Sequence, residues 1–100
     1  MITHVAIKRH GVRYSLPAPN RHHHILWVIA KRNGLPDVPE VADEALLTED
    51  QDTGEDSQGF LDDQGNYLNR EDGLAHALAC NQVKDINDIR AGQLFSEDVW

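Results

Sequence analysis

The sequence predicts a small α+β domain in which antiparallel β-hairpins pack against two main α-helices. Three observations support this prediction. The chain has 100 residues, the length of one domain. Two stretches alternate apolar and polar residues on either side of a glycine-containing turn, as β-hairpins do. Two others place apolar residues at helical spacing after a capping residue. We therefore expect residues 1–100 to form a single domain.

The first hairpin is predicted over residues 2–16, with His10-Gly11 as its turn. The runs on both sides of this pair alternate apolar and polar side chains. Glycine readily adopts the positive φ that a two-residue hairpin turn requires. Pro17 follows and ends the second strand, because proline has no N–H to donate to a neighbouring strand.

The first helix is predicted from Arg21 to Arg32, with Asn20 as its N-cap. Its buried stripe is expected to contain Ile25, Leu26 and Ile29, which lie at helical spacing. An Asn-Gly pair follows the last turn and is a common signal for a helix end.

An exposed, acidic and partly flexible loop is predicted at about residues 36–58. The stretch from residue 35 to residue 58 carries nine acidic residues, two prolines and no basic residue. Such a composition buries little apolar surface, so we expect few contacts with the core. Within it, Val41 to Leu47 could form a short helical turn.

A second hairpin and a second helix are predicted after Gly59. Phe60-Leu61 and a Tyr-Leu pair flank the turn residues Gln64-Gly65. Asn69 then caps a helix that runs from Arg70 to Asn81.

The second helix is expected to bury Leu74, Leu78 and the alanines between them. Cys80 lies among alanines in the predicted helix and is expected to be a buried structural thiol. As the only cysteine, it also excludes an intramolecular disulfide.

Charge is strongly segregated along the chain. The net charge of −8 argues against general nucleic-acid binding, because affinity for nucleic acids depends largely on neutralising phosphates. Residues 1–34 nevertheless contain no acidic residue, whereas residues 35–100 hold all 17 acids. The basic first third is therefore a plausible place for a small anionic ligand.

Compartment and assembly follow from simple properties of the chain. The longest apolar run, Ile25 to Ala30, is too short to span a membrane, and no signal peptide is visible. We expect a protein of the reducing cytoplasm with no membrane partner. Because a domain with so small a core often gains stability by self-association, we also expect a homo-oligomer.

His22-His23-His24 is the most conspicuous run of side chains. Consecutive helical residues point about 100° apart, so three in a row cannot easily face one metal ion. No metal or other cofactor is therefore expected. Together with Arg21, these residues open a helix whose unpaired amide groups attract anions. The alternative is that the histidines pack internally or face solvent.

Three residues of the second half are candidate ligand contacts. Phe60, at the lip of a hairpin, could stack on a base or belong to the core. Arg70 lies in the first turn of a helix, where the dipole disfavours a cation. A partner anion is therefore expected, either Asp62 and Asp63 or a ligand phosphate. Arg90 suits either a salt bridge or a phosphate contact.

Patterns typical of catalysis are absent from the sequence. It contains no nucleophile elbow, no phosphate-cradling glycine loop and no paired-cysteine zinc motif. The acidic pairs in the second half lack a base or metal ligand beside them. We therefore expect a protein that is not an enzyme.

Five segments, in order, resemble the Thoeris anti-defence proteins of the first type, a group of small phage proteins. The resemblance covers most of the chain except the acidic loop. The segments are Pro19-Asn20-Arg21-His22-His23, Gln58-Gly59-Phe60-Leu61, Asn69-Arg70-Glu71, Ala79 to Gln82 and Leu94-Phe95-Ser96-Glu97-Asp98-Val99-Trp100.

The resemblance implies a phage sponge that acts in the cytoplasm of the infected bacterial host. Such a protein is an oligomer that binds cyclic ADP-ribose isomers, made by bacterial TIR-domain enzymes, and sequesters them without cleavage. Some members of this kind also hold cyclic oligonucleotides at a separate site.

The resemblance also implies roles for individual residues. Phe60 would stack on the adenine, Asn69 and Arg70 would contact ribose or phosphate, and Arg90 would be a second phosphate contact. The candidates for another anion site or a subunit interface are Arg21, His22 and His23. The acidic loop and Asp62-Asp63 depart from the group's pattern, and both place negative charge near the pocket that the resemblance implies.

Two other functions are consistent with the sequence. One is a protein-binding inhibitor of host defence, of the anti-restriction or anti-CRISPR type, whose acidic loop mimics nucleic acid. The other is a metal-dependent phosphoesterase that uses the histidines at 22–24.

Overall fold

One antiparallel sheet with two helices forms the framework of the protein. The computed structural model describes residues 1–49, 56–89 and 92–100. The five strands lie in the order β3-β2-β1-β4-β5. The elements are β1 (Ile2–Arg9), β2 (Val12–Pro17), α1 (His22–Arg32), β3 (Leu46–Glu49), β4 (Ser57–Asp62), β5 (Tyr67–Asn69) and α2 (Arg70–Ala79). Short 3₁₀ helices follow at Ile86–Asp88 and Ser96–Asp98. This architecture confirms the predicted α+β class.

The first predicted hairpin is confirmed. His10 and Gly11 both have positive φ angles, 51° and 78°, as the two central residues of a tight hairpin turn require. Strands β1 and β2 pair antiparallel from His4 opposite Pro17 to Arg9 opposite Val12.

Both helices pack on one face of the sheet. Val5 of β1 lies opposite Leu16 on one side and Phe60 on the other, so these three side chains share a face. Phe60 in turn meets His22 of α1 and lies directly under Gly73 of α2. The core of this layer consists of Ile2, Val5, Ile7, Tyr14, Leu16, Ile25, Ile29, Phe60, Ala77, Leu94 and Val99.

Helix α1 begins one residue later than predicted. Arg21, not Asn20, is the extended N-cap residue, and its backbone N–H donates to Nδ1 of His24 at 2.8 Å. The Asn20 amide donates instead to the Pro17 carbonyl and to Asp43, both at 2.8 Å. Of the predicted stripe, Ile25 and Ile29 are buried and Leu26 is partly buried against the core.

The structure places a strand where the sequence predicts an acidic loop. Leu46–Glu49 pairs antiparallel with β2 and forms an edge of the sheet, so the helical turn predicted over Val41 to Leu47 is wrong. The outer edge of β2 offers backbone groups that an extended segment can satisfy, which outweighs the loop-like composition. Residues 50–55 of the predicted loop lie outside the described residues.

The second hairpin and the cap of α2 agree with the prediction. Strands β4 and β5 pair from Gly59 opposite Asn69 to Leu61 opposite Tyr67. Oδ1 of Asn69 accepts a hydrogen bond of 2.8 Å from the backbone N–H of Asp72. The helix ends at Ala79, two residues before the predicted end.

The buried face of α2 differs from the prediction. Gly73 and Ala77 are buried, whereas Leu78 is 45% exposed and Cys80, the C-cap, is exposed. A Cβ atom on Gly73 would lie 3.0 Å from Cδ2 of Phe60. Because the helix backbone approaches the sheet so closely, small residues face inward and the larger ones lie towards solvent.

Described residues after α2 contact β1 and the starts of both helices. The Gln82 side chain bonds both backbone groups of Ile2, at 2.8 and 2.7 Å. The Trp100 indole donates to the Asn20 carbonyl at 2.6 Å. Between these anchors, the Leu94 N–H donates to the carbonyl of Arg70 at 2.9 Å, which brings this segment against the start of α2.

None of the helices in the described part of the chain is long and apolar enough to cross a membrane.

Candidate functional site

A polar groove lies where β4, β5, the start of α2 and Gln93 of the segment after α2 meet. Its volume is about 570 Å³, within the range of pockets that hold small molecules. The lining residues are Ser57, Gln58, Asn69, Arg70, Glu71 and Gln93. Two predicted site residues, Asn69 and Arg70, therefore lie together here.

Three contacts position the Arg70 side chain in this groove. Its guanidinium donates to the Leu94 carbonyl at 2.8 Å and to Oε1 of Gln58 at 2.7 Å. Its Cζ lies 4.4 Å from the centre of the Phe95 ring, over the ring face. Burial lowers the pKa of Arg70, and the nearby Tyr67 partly offsets this, but an arginine stays protonated in proteins. Of the expected partners, neither Asp62 nor Asp63 binds it.

The amide groups of the groove have a fixed orientation. A backbone N–H and a guanidinium can only donate, so the atoms that accept from them are Oδ1 of Asn69 and Oε1 of Gln58. Both NH₂ groups are therefore available as donors, and neither makes a hydrogen bond within the described residues. The groove thus combines one cation, Arg70, with neutral amide donors and one carboxylate, Glu71.

A hydroxyl pair continues the polar surface along β4 and β5. The Ser57 hydroxyl lies 2.8 Å from the Tyr67 hydroxyl, and Nζ of Lys8 lies 4.3 Å from the centre of the Tyr67 ring. Burial raises the pKa of Tyr67, although the bond to Ser57 and the charge of Arg70 act in the opposite direction. Tyr67 therefore stays a neutral donor or acceptor at physiological pH.

Phe60 does not reach this groove. Its side chain is completely buried, with its ring centre 5.0 Å from that of His22 in an edge-to-face arrangement. Phe60 is therefore a core residue, one of the two roles expected for it, and its ring is not exposed for stacking on an adenine. Phe60 lies on the face of β4 that both helices cover, which the local sequence could not specify.

The three consecutive histidines occupy three different environments. His22 is buried, and its Nε2 donates to the Gly59 carbonyl at 2.7 Å. Burial lowers the pKa of His22 to about 4, although the bond to Gly59 acts in the opposite direction. His22 is thus neutral at physiological pH and is not a contact for an anion. His23 is exposed and lies edge-on to Trp27.

His24 caps the start of α1 and lies beside its neighbour His23. Burial lowers the pKa of His24, and the charges of His23 and Arg21 contribute in the same direction.

Within residues 1–49, 56–89 and 92–100, no group of three or more His, Cys, Asp or Glu side chains could hold a metal ion.

Arg21 is bound to the end segment and does not line the groove. Its guanidinium donates to the Trp100 carbonyl at 2.8 Å and lies 3.8 Å from the Glu97 carboxylate. These contacts connect the start of α1 to the second 3₁₀ helix. Arg90, the remaining predicted contact, lies outside the described residues.

Four lining residues were not predicted from the sequence. Ser57 and Gln58 fall at the end of the predicted acidic loop, so β4 begins earlier than expected. Gln58 lies two residues before Phe60 in β4, so its side chain shares the face of the strand that carries Phe60. Glu71 follows Arg70 directly, whereas nothing in the sequence marks Gln93.

Comparison with protein families gives a match over the whole chain. The family model described as phage T4 y16D protein matches residues 1–100. No curated protein and no solved structure matches the chain significantly. This match confirms that the chain is a phage protein, as the sequence resemblance implied.

Proposed function

The chain belongs to the phage T4 y16D protein family, and we propose that this phage protein is an anti-defence sponge. It binds a cyclic nucleotide immune signal, a cyclic ADP-ribose isomer, and sequesters it without cleaving it. The ligand is held through its diphosphate in the groove around Arg70.

The immobilised guanidinium of Arg70 carries this proposal. Two contacts fix its plane, one to Leu94 and one to Gln58, and its other N–H groups make no hydrogen bond within the described residues. A planar, pre-oriented guanidinium suits a phosphate, because it donates two parallel hydrogen bonds without losing side-chain freedom on binding.

Neutral hydrogen-bond donors beside Arg70 are suited to bind a second phosphate of the ligand. The NH₂ groups of Asn69 and Gln58 line the same groove, and Gln93 adds another amide. A diphosphate presents several acceptor oxygens on adjacent phosphorus atoms, so a row of donors beside one cation complements it.

The proposal assigns no ligand contact to Phe60 or His22. Both are core residues, and substitution of either would act through folding. The adenine would therefore be held by other groups at the rim of the groove, including those supplied by a second copy of the chain.

The direct test is native mass spectrometry of the purified protein with a panel of cyclic nucleotides, including cyclic ADP-ribose isomers. We expect one of these isomers to bind and to be recovered intact after the complex is denatured. Absence of binding across the panel would refute the sponge, and recovery of cleaved ligand would show an enzyme instead.

Arg70→Lys is the decisive variant in this assay. It keeps the charge but loses the planar pair of donors, so affinity should fall at least about tenfold, which corresponds to about 1.4 kcal/mol. Arg32→Lys, the same change at an exposed position on α1, is the matched control and should bind like the wild type. Equal affinity of the two variants would rule out the role of Arg70.

Asn69→Asp separates folding from binding at the neighbouring position. Asp is as good an N-cap as Asn, so stability should change by less than about 0.5 kcal/mol. The carboxylate removes a donor and repels phosphate, so binding should weaken several-fold. A variant that binds as well as the wild type would mean that the ligand lies elsewhere.

A protein-binding inhibitor is the second candidate, and the exposed acids before β3 favour it. Asp37 and Glu44 are exposed and make no ion pair within the described residues, unlike Glu40, which lies 3.4 Å from Lys31. Asp37→Asn with Glu44→Gln tests this candidate: it should abolish inhibition by an acidic mimic and leave a sponge active.

A further inference from the structure

Glu71 is the one carboxylate among the described residues that line the groove. It follows Arg70 directly in the first turn of α2, and its side chain is exposed. It makes no hydrogen bond or ion pair within the described residues, not even with its neighbour Arg70.

A carboxylate is unfavourable for a site that takes only phosphate. It repels the anion, and it can accept hydrogen bonds but cannot donate them. Its presence beside Arg70 suits a ligand that carries hydroxyl donors close to its phosphate. A ribose carries two adjacent hydroxyls, and an acidic side chain that accepts from ribose hydroxyls is a recurrent feature of nucleotide sites.

We propose that Glu71 accepts hydrogen bonds from the ribose hydroxyls of the ligand while Arg70 holds a phosphate. The groove therefore selects ribonucleotides over deoxyribonucleotides. This inference rests on the proposed function of the same groove and adds the class of ligand.

The positions of Arg70 and Glu71 are consistent with one binding a phosphate and the other a ribose. Arg70 is turned towards Leu94 and Gln58, which leaves Glu71 on the same groove without a partner. A groove of about 570 Å³ can hold a phosphate and a sugar together.

A simpler explanation of Glu71 is that acids in the first turn of a helix interact favourably with its dipole. Asp72 lies in the same first turn, is also exposed and does not line the groove. Asp72→Asn is therefore the matched control for Glu71→Gln, because the two variants remove one charge each from the same turn.

The experiment is calorimetric titration of wild type, Glu71→Gln and Asp72→Asn with ADP, 2′-deoxy-ADP and pyrophosphate. The wild type should bind ADP about tenfold more tightly than 2′-deoxy-ADP, as one hydrogen bond to a charged group suggests. Glu71→Gln should reduce this ratio towards one and bind pyrophosphate more tightly, because the repulsion is removed. Asp72→Asn should keep the wild-type ratio.

The outcomes separate this inference from the function on which it rests. If pyrophosphate and both nucleotides bind but the wild type does not distinguish the two sugars, Glu71 has no such role and the anion site stands. If Glu71→Gln and Asp72→Asn change the ratio of ADP affinity to 2′-deoxy-ADP affinity equally, Glu71 acts only through the helix dipole and does not contact the ribose. If none of the three probes binds, the anion site and this inference are both wrong.

Discussion

Single residues in this protein have roles set by the direction in which each side chain points. His22 faces the core and donates to Gly59, whereas the next residue, His23, is exposed. The angle of about 100° between consecutive helical residues explains this divergence. It also explains why residues that are neighbours in the sequence do not form one site.

The buried His22 predicts how stability depends on pH. Its pKa of about 4 in the folded protein lies below the value of 6.5 for an unperturbed histidine. The unfolded chain therefore binds this proton more tightly. Stability that is fully present above pH 6.5 should be lost progressively as pH falls towards 4. The full loss is about 3 kcal/mol, at about 1.4 kcal/mol for each pKa unit.

Urea unfolding at pH values from 7.5 to about 4 checks this prediction. His22→Gln should flatten the pH dependence between about 6.5 and 4. The control is His10→Asn in the exposed first turn, where Asn tolerates the positive φ of His10. It should leave the pH dependence as in the wild type. The same slope in wild type and His22→Gln would show that other groups cause it.

At the scale of elements, the contact between α2 and the sheet decides which residues are buried. The helix lies so close to Phe60 that a glycine and an alanine form its inner face. Sequence reasoning that ranks residues by apolarity places Leu78 inside, but the inner side of a closely packed helix has room only for small side chains.

Gly73→Ala tests this close packing. On helix propensity alone, alanine should stabilise α2 by up to about 1 kcal/mol. The added Cβ would lie 3.0 Å from Cδ2 of the completely buried Phe60, which cannot easily move. We therefore expect a net loss of about 1–3 kcal/mol, measured by urea unfolding.

The reverse substitution at an exposed position, Ala75→Gly, is the control for propensity and should cost about 1 kcal/mol. A variant Gly73→Ala that is more stable than the wild type would contradict the close approach of α2 to Phe60.

At the scale of the whole molecule, the outer edge of β3 pairs with no further strand among the residues that the structure describes. Strand β3 lies at the edge and has Leu46 and Leu47 exposed by 62% and 40%. Successive strand residues point to opposite faces, so the two leucines flank the backbone groups of this edge. An exposed edge strand with apolar side chains favours pairing with another strand.

We expect the protein to form a homo-oligomer through β3 at micromolar concentration, which light scattering after gel filtration can measure. Leu46→Lys combined with Leu47→Lys should give a monomer, because lysine on an edge strand opposes pairing. Leu78→Lys changes another exposed leucine, which lies on α2, and should leave the assembly intact. A monomeric wild type would exclude this assembly and a ligand cavity shared between copies.

Local patterns in the sequence were sufficient for the first hairpin, the second hairpin and the cap of α2. Each depends on contacts between residues close in the chain, such as the two positive φ angles at His10-Gly11 or the bond from Asp72 to Asn69. The charge of Arg70 in a first helical turn also marked it as a residue that needs a partner.

The tertiary structure alone decided which side chains surround Arg70 and which are buried. Its guanidinium binds Leu94 and Gln58, from distant parts of the chain, and no local pattern specifies such a meeting. The same holds for β3, which pairs with β2 despite its acidic surroundings, and for Phe60, whose position under both helices buries it. The physical reason is that burial and pairing depend on which segments meet in space, whereas turns and caps depend on neighbours along the chain.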